Sequence, residues 1–386
     1  MSESIAAWLS VTCLVLAILG CVYTLAATLI VRRAAGRPSP RVQAYPGVTI
    51  LKPLSGAELG LYENLASFCT QNYPGPLQIL FGVQDPEDSA IAIVREVIAN
   101  SRGRDAELII DTRRHGVNAK VANLINMAVH IKHGTVVLAD SDVRVRPDYL
   151  SCVIGALSHP GVGLVTCLYR GAPGPGLWAR LNAMAIDYHF LPGVLVGLRL
   201  GLARPCFGST IALTRETLAA IGGFEAFADH LADDNAMGGA VRRAGMQVAI
   251  PAFSVEHACT DASLAELVRH ELRWARTIRA VDPWGFAGSA VTYPLPFALL
   301  GAALGGFAPA GVASILAALA CRLVLQLQVD HTVHSHSGRW WLGPVRDVLS
   351  FAIFVGSFFV AVVSWRGERY KVRSDGTLVS LREVGS

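Results

Sequence analysis

The 386-residue sequence is short of charge, with only 16% Asp, Glu, Lys and Arg against 52% hydrophobic residues. With a mean hydropathy of +0.44, this excludes an ordinary soluble domain, in which about a quarter of residues are charged. Lysine is scarce, at 4 residues against 29 arginines, a bias that points to a GC-rich coding sequence and a bacterial source. No Lys/Arg-rich block occurs and the net charge is only +4, which excludes an electrostatic nucleic-acid binder. The eight cysteines, at 13, 21, 69, 152, 167, 206, 259 and 321, include no Cys-x-x-Cys pair. Neither a zinc site nor a disulfide framework is encoded, and buried reduced thiols are expected. Gly-x-Gly-x-x-Gly and Gly-x-x-x-x-Gly-Lys-Ser/Thr are both missing, so a nucleotide must be held without either glycine cradle.

Uncharged runs gather at the two ends. Ile5 to Val31 carries no charged residue and exceeds the roughly 20 residues that a membrane-crossing helix needs. A secretory signal requires a basic region ahead of its apolar stretch, and only Glu3 precedes this one. Arg32, Arg33, Arg37 and Arg41 follow, so the chain after 32 is expected in the cytoplasm. Pro283 to Cys321 is a second uncharged run, broken by Gly305-Gly306-Phe307-Ala308-Pro309, which predicts two membrane helices joined by a turn. Val348 to Trp365 is a third C-terminal candidate, after a polar loop with His331, His334 and His336 that reads as interfacial rather than metal-binding. Three full crossings would place Arg366, Arg369, Lys371 and Arg373 outside, against the positive-inside tendency. One of these segments is therefore expected to be re-entrant or interfacial. The chain divides into an N-terminal membrane helix and basic linker (1–44), a middle domain (45–285), and C-terminal membrane helices with a basic tail (286–386).

In the middle, β-branched runs at Val48–Leu51, Leu77–Val83, Glu107–Ile110, Thr135–Ala139 and Val162–Thr166 alternate with amphipathic stretches at Leu59–Cys69, Ala90–Ala99, Lys120–Ile131 and Tyr149–Leu157. This predicts an α/β fold with a mainly parallel sheet between helices. Ligands of such sheets bind beyond the carboxyl ends of the strands, where Asp85 and Asp140-Ser141-Asp142 emerge. Two carboxylates at that spacing reach one hard cation, although Asp and Ser also favour strand-ending turns. Asp233-Asp234 opens a helical stretch, Asn235 to Arg243, as capping residues or as reactive acids. Ser263 to Arg279 reads as a helix bearing His270, Arg273, Trp274, Arg276 and Arg279. It is either an interfacial anchor or a place where a guanidinium holds a diphosphate and an indole shapes an acceptor pocket.

Taken in order, Val48-Thr49-Ile50-Leu51-Lys52-Pro53-Leu54, Tyr73-Pro74, Val83-Gln84-Asp85, Gly116-Val117-Asn118-Ala119-Lys120, Asp140-Ser141-Asp142, Asp233-Asp234 and His270-x-x-Arg273-Trp274 resemble the processive-type GT-A inverting glycosyltransferases. Within these they resemble the ceramide glucosyltransferase branch, and most of all its hopanoid-biosynthesis members. The resemblance implies a GT-A fold flanked by transmembrane helices, and transfer of N-acetylglucosamine from a UDP-sugar to bacteriohopanetetrol. UDP-glucose with ceramide is the alternative pair. It further implies a bacterial inner-membrane enzyme with a cytoplasmic catalytic domain and a divalent cofactor, Mg2+ or Mn2+. By position, Asp85 would contact base or ribose, Asn118 and Lys120 would lie along the nucleotide, and Asp140 and Asp142 would bind metal and diphosphate. Asp234 would be the general base, Arg273 and Trp274 would meet diphosphate and acceptor, and Asp233, Ser209 and His270 would face the acceptor. His270 stands where ceramide enzymes usually show Gln or Arg, and Asp142 is an acid that they usually lack.

A rival from another class uses the same acids: Asp140-Ser141-Asp142-Val143 resembles the nucleophile motif of haloacid-dehalogenase phosphatases, which would make the chain a membrane phosphohydrolase. Three predicted strands precede the one that ends at Asp140, however, and that reading leaves Asp234 and Arg273-Trp274 unused. A non-catalytic scaffold would tolerate Ala at the strand-tip acids. A transporter is disfavoured by the small number of spans and the lack of a central acid in them.

Overall fold

The computed structural model describes residues 3–34, 44–335, 337–359, 363–365, 368–372 and 378–380. Arg37, Arg41, His336, Arg366 and Arg373 lie outside them. The chain forms two compact units, one of Met1–Gly36, Arg170–Arg204 and Asp261–Val363 and the other of Arg37–Tyr169, Pro205–Thr260 and Ser364–Ser386.

The second of these is α/β. Up to residue 260 its strands are β1 (Val48–Pro53), β2 (Leu77–Val83), β3 (Asp105–Ile110), β4 (Thr135–Leu138), β5 (Val143–Arg144), β6 (Val162–Thr166), β7 (Leu168–Pro173, running out of the unit), β8 (Ile211–Thr214), β9 (Gln247–Ala249) and β10 (Ser254–Cys259). Seven of them form a sheet in the order β3-β2-β1-β4-β8-β6-β9. The pairs β1–β2, β1–β4, β2–β3 and β6–β9 are parallel, whereas β8 runs antiparallel to β4 and β6. Every residue of β1 and β4 is buried, as strands covered on both faces require. Consecutive residues serve opposite cores because side chains alternate along a strand. Ile50 packs with Leu65, Phe68 and Tyr149 on one face, and Leu51 with Leu124, Met127 and Met237 on the other. Each such large apolar side chain contributes about 1.5–3 kcal/mol. The consequence for function is positional: parallel β1 and β4 end side by side, bringing Lys52 and Asp140 to one edge.

The other unit is helical. Among the described residues, three helices are long and apolar enough to cross a membrane: Ser4–Ala34, Leu177–Arg199 and Pro309–Val333. A fourth candidate is the pair Pro283–Thr292 and Pro294–Leu304, bent by 65° as a broken span or re-entrant loop. The first helix and the break before Pro309 fall where the uncharged runs place them. Leu177–Arg199 was not expected, because Arg180, Asp187 and His189 interrupt its hydropathy. The 45–285 stretch is consequently not one continuous unit: Arg170–Arg204 and the chain from Asp261 group with the apolar helices. The Val348–Trp365 candidate lies partly outside the described residues, which omit 360–362. The helix there is Gly343–Gly356, 14 residues long, short of the roughly 20 required.

Ion pairs are buried inside this unit, where an apolar surround penalises a lone charge. Arg346, 1% exposed, donates to Glu271 Oε1 at 2.8 Å, and Arg322 meets Asp347 at 2.7 Å.

Candidate active site

Asp140 follows β4 and is held by its backbone: its N–H donates to the Gly208 carbonyl at 3.2 Å, and its own carbonyl accepts from the Lys52 ammonium. Its carboxylate Oδ1 meets Lys120 Nζ at 2.7 Å, and the same ammonium reaches Asp233 Oδ2 at 3.3 Å. Lys120 thus bridges the acid after β4 and the acid pair that opens the helix Asp233–Arg243. The Gly208 N–H donates to Asp234 Oδ2 at 2.9 Å, so one residue touches both Asp140 and Asp234. Asp234 Oδ1 accepts the Asn235 N–H at 2.7 Å. The paired acids are therefore more than helix caps.

Electrostatics follow from this crowding. Burial, then the Asp233 charge, push the Asp234 carboxyl up to about 6, against the opposing pull of Lys120. Burial penalises the Lys120 ammonium, but Asp140, Asp233 and Asp234 outweigh it and hold it charged well above its usual range. Burial likewise raises Asp140, with Lys120 opposing. Lys52, fully buried over the Phe68 ring at 4.0 Å, is lowered by burial to about 7. A carboxyl near 6 is ionised in most molecules at neutral pH and still basic enough to take a proton.

Asn118, expected along the nucleotide, points inward. It is fully buried and caps the helix Ala119–Ala128, its Oδ1 accepting from Lys120 N at 2.9 Å and Val121 N at 3.2 Å. Its Nδ2 donates to the His230 carbonyl at 2.8 Å and to Asp233 Oδ1 at 3.3 Å. Both polar atoms of the amide are thereby engaged, one of them on the Lys120 N–H. Ser209, expected at the acceptor, is 5% exposed and donates inward to the Cys167 carbonyl at 3.0 Å. Asp85 lies exposed in the turn after β2, its Oδ1 accepting from Glu87 N at 2.9 Å.

Asp142 stands apart from Lys120. Its Oδ1 is buried and accepts no hydrogen bond, and His257 Nδ1 lies 3.6 Å away. Among the described residues no ready group of three His, Cys, Asp or Glu side chains forms a metal site. A buried acceptor without a donor still fits a cation that draws further ligands from a bound diphosphate and water.

His270, Arg273 and Trp274 belong to the helical unit, on the helix Leu264–Val281. The His270 and Trp274 rings lie 4.3 Å apart, and His270 Nδ1 is 3.5 Å from Asp261 Oδ1. Burial opposes ionisation of Asp261, but His270 and Asn182 hold its carboxyl below the usual range. A cavity of about 370 Å3 in this unit is lined by Tyr188, Arg322, Trp340, Trp341, Arg346 and Asp347 among others, and its lining includes none of Asp140, Asp142, Asp233 and Asp234.

Three residues escaped the sequence reading. Lys52 carried the signal of a cation inside a wholly apolar strand, while His257 and Asp261 carried none.

A Cβ on Gly208 would lie 2.5 Å from Asp140 Oδ2 and 3.0 Å from Lys120 Nζ. Gly208→Ala is therefore expected to keep the fold, since flexible side-chain ends can yield, but to displace the carboxylate. Activity at this site should fall about 100-fold, the scale of an ångström misplacement, with the melting temperature within a few degrees of wild type.

The glycosyl transferase family 21 description matches residues 12–378. Ceramide glucosyltransferase 1 of Caenorhabditis elegans is 24% identical over 348 residues, 86% of this chain and 73% of the relative. Ceramide glucosyltransferase 3 of the same organism is 26% identical over 62% of this chain, and the match spans about half of that relative, 52%. Among solved structures, the mannosyltransferase PcManGT of Pyrobaculum calidifontis, in complex with GDP-Man and Mn2+, superposes with a TM-score of 0.54 at 19% identity. That superposition covers 91% of this chain and 99% of the other. The mainly parallel sheet with its one antiparallel strand is thus the GT-A fold, and the phosphohydrolase reading of Asp140 falls away. The chain belongs to glycosyl transferase family 21 and is a glycosyltransferase.

Proposed function

We propose that the protein transfers a sugar from a UDP-sugar to the hydroxyl of a lipid, with inversion at the anomeric carbon and with Asp234 as general base. The observation that carries this reading is the Asp140–Lys120–Asp233 bridge beside an Asp234 carboxyl pushed to about 6. Single displacement needs one base and a stabilised leaving diphosphate, not the acid and nucleophile pair of glycosidases. Asp234 takes the acceptor hydroxyl proton as oxygen attacks the anomeric carbon, and the glycosidic C–O bond forms as the bond to diphosphate breaks. Lys120 keeps the neighbouring carboxylates apart and fixes their geometry, while Asp85 at the β2 tip meets the nucleoside. Asp140 and Asp142 would hold a divalent cation, which supplies charge neutralisation at the departing diphosphate when bound. The Arg273–Trp274 pair would serve diphosphate and acceptor near the bilayer.

The apolar helices support a lipid acceptor and a membrane location; the bacterial inner membrane rests on the arginine bias and the resemblance, and cytoplasmic chemistry on Arg32 and Arg33 following the first apolar run. N-acetylglucosamine on bacteriohopanetetrol is the preferred pair, through the sequence resemblance. UDP-glucose with ceramide is the second reading, favoured by the names of the relatives.

The test is a membrane-fraction assay offering UDP-N-acetylglucosamine and UDP-glucose, each with bacteriohopanetetrol and ceramide, read by product mass. Glycosylated hopanoid is the expected product. Transfer to ceramide would keep the mechanism and replace the acceptor, and no lipid product from any pair would overturn the reading. EDTA is expected to abolish transfer and Mn2+ or Mg2+ to restore it; undiminished transfer in EDTA would remove the cation from the account.

A further inference from the structure

The chemistry above makes no use of the cavity in the helical unit. At about 370 Å3 it falls near the lower end of the roughly 300–1,000 Å3 that small-molecule sites span. It is bounded by the helices Leu177–Arg199, Pro309–Val333 and Gly343–Gly356. The first two are long and apolar enough to cross a membrane. Leu319, Leu323 and Pro344 give it an apolar wall. Trp340 and Trp341 beside them are exposed, as indoles are where hydrocarbon meets headgroups.

The charged groups of the cavity are already engaged. Arg322 Nη2 donates to Asp347 Oδ1 at 2.7 Å, and its Nη1 to the Tyr188 carbonyl at 3.1 Å. Arg346 Nη1 donates to Glu271 Oε1 at 2.8 Å. Each guanidinium is matched by a carboxylate, so neither offers the unpaired charge that draws in a phosphate. The Tyr188 hydroxyl donates to Asp330 Oδ1 at 2.6 Å, and Tyr188 sits in a π-helical turn, Ile186–Phe190, an irregularity that recurs at functional sites.

Gln326 is the exception. It is 6% exposed and lines the cavity, yet neither end of its amide meets a hydrogen-bond partner among the described residues. Burying an amide without a partner is unfavourable, and a ligand hydroxyl or carbonyl would remove that penalty. Gly338 keeps the space beside the amide clear, since a Cβ there would lie 2.5 Å from Gln326 Nε2.

We propose that this cavity binds an uncharged membrane lipid as a resident ligand, one hydrocarbon chain along the apolar wall and a hydroxyl or carbonyl of the head paired with Gln326. An anionic lipid finds both guanidiniums neutralised, and a plain hydrocarbon leaves the amide unpaired. The ligand is a second lipid rather than the acceptor, because an acceptor hydroxyl must reach a base and none of the acids of the transfer site lines the cavity.

The experiment uses full-length protein in detergent and a diacylglycerol with a diazirine in one acyl chain, reading labelled peptides by mass. Label is expected on Pro309–Val333 and Gly343–Gly356, and is expected to be largely lost in Ala320→Trp, which fills the cavity from an exposed position. Gln326→Leu should weaken competition by unlabelled diacylglycerol roughly 2- to 10-fold, the worth of one neutral hydrogen bond. Its lipid-free form should melt no lower than wild type, because the change removes an unpaired amide. Phosphatidylglycerol with the same chains should compete less well. Label spread evenly over Ser4–Ala34 and indifferent to Ala320→Trp, equal competition by phosphatidylglycerol, or unchanged competition in Gln326→Leu would each overturn the proposal. Displacement of the label by a glycosylated acceptor lipid at its KM would make the cavity the acceptor's own and overturn the assignment of a second lipid. Saturable label in a protein that glycosylates no lipid would uphold the cavity and reject the transfer reading instead.

Discussion

Asp234→Asn is expected to lower the turnover of lipid glycosylation by about 10²- to 10⁴-fold, the usual contribution of a positioned general base, with little change in KM for the donor. The amide keeps the shape and can still accept from the Gly208 N–H, which Asp234 Oδ2 meets at 2.9 Å, but it takes no proton. In wild type, kcat/KM should rise with pH through about 6, where the carboxyl ionises, and level off above it. The sign of the stability effect separates chemistry from unfolding. Folding raises the Asp234 pKa above its ordinary 3.8 to about 6, so its linked stability is full below that ordinary value and is lost as pH rises through about 6. The variant should therefore melt no lower than wild type at pH 8. Asp233→Asn should behave differently, losing stability rather than the chemical step, because Asp233 is buried against Lys120. Near-normal turnover in Asp234→Asn with an inactive but folded Asp233→Asn would show that the neighbouring acid is the base.

Lys120→Met should cost about 3 kcal/mol of stability, the lower end for breaking a buried ion pair. The low end applies because the Asp140 side chain is 34% exposed, whereas those of Asp233 and Lys120 are 8% and 17% exposed. Without the ammonium, two carboxylates are left facing each other and must take up a proton. The deficit should shrink as pH falls from 8 to 5, and the melting temperature at pH 8 should drop on the order of 10 °C. Lys120→Arg, which keeps the charge, should recover much of the loss. Melting of Lys120→Met at the wild-type temperature at pH 8 would mean that the bridge contributes nothing to the fold.

The sheet was legible in the sequence because its central strands are buried on both faces and read as unbroken apolar runs, bounded by Asp85 and Asp140 at the carboxyl ends. The acids of the site were legible for the same reason, since a charge directly after an apolar strand marks the ligand edge. The partners that hold them were not. Asn118 reads as a ligand contact until its buried amide is seen to cap a helix and restrain Asp233, and His257 is one unremarked residue of a short alternating strand that only pairing with β5 brings to Asp142. The helix Leu177–Arg199 stayed hidden because Arg180, Asp187 and His189 make it less apolar than Ser4–Ala34. Periodicity reports burial along one element, whereas ion pairs and caps depend on contacts between elements distant in sequence.

The most direct test of the central claim is the anomeric configuration of the glycolipid made by the wild-type protein from an α-linked UDP-sugar, read from the proton coupling at the anomeric carbon. Displacement by the acceptor hydroxyl in one step, with Asp234 as the only base, predicts a β-linked product. An α-linked product would contradict the account, because retention requires a second displacement or a front-face route in which Asp234 is not the sole proton acceptor.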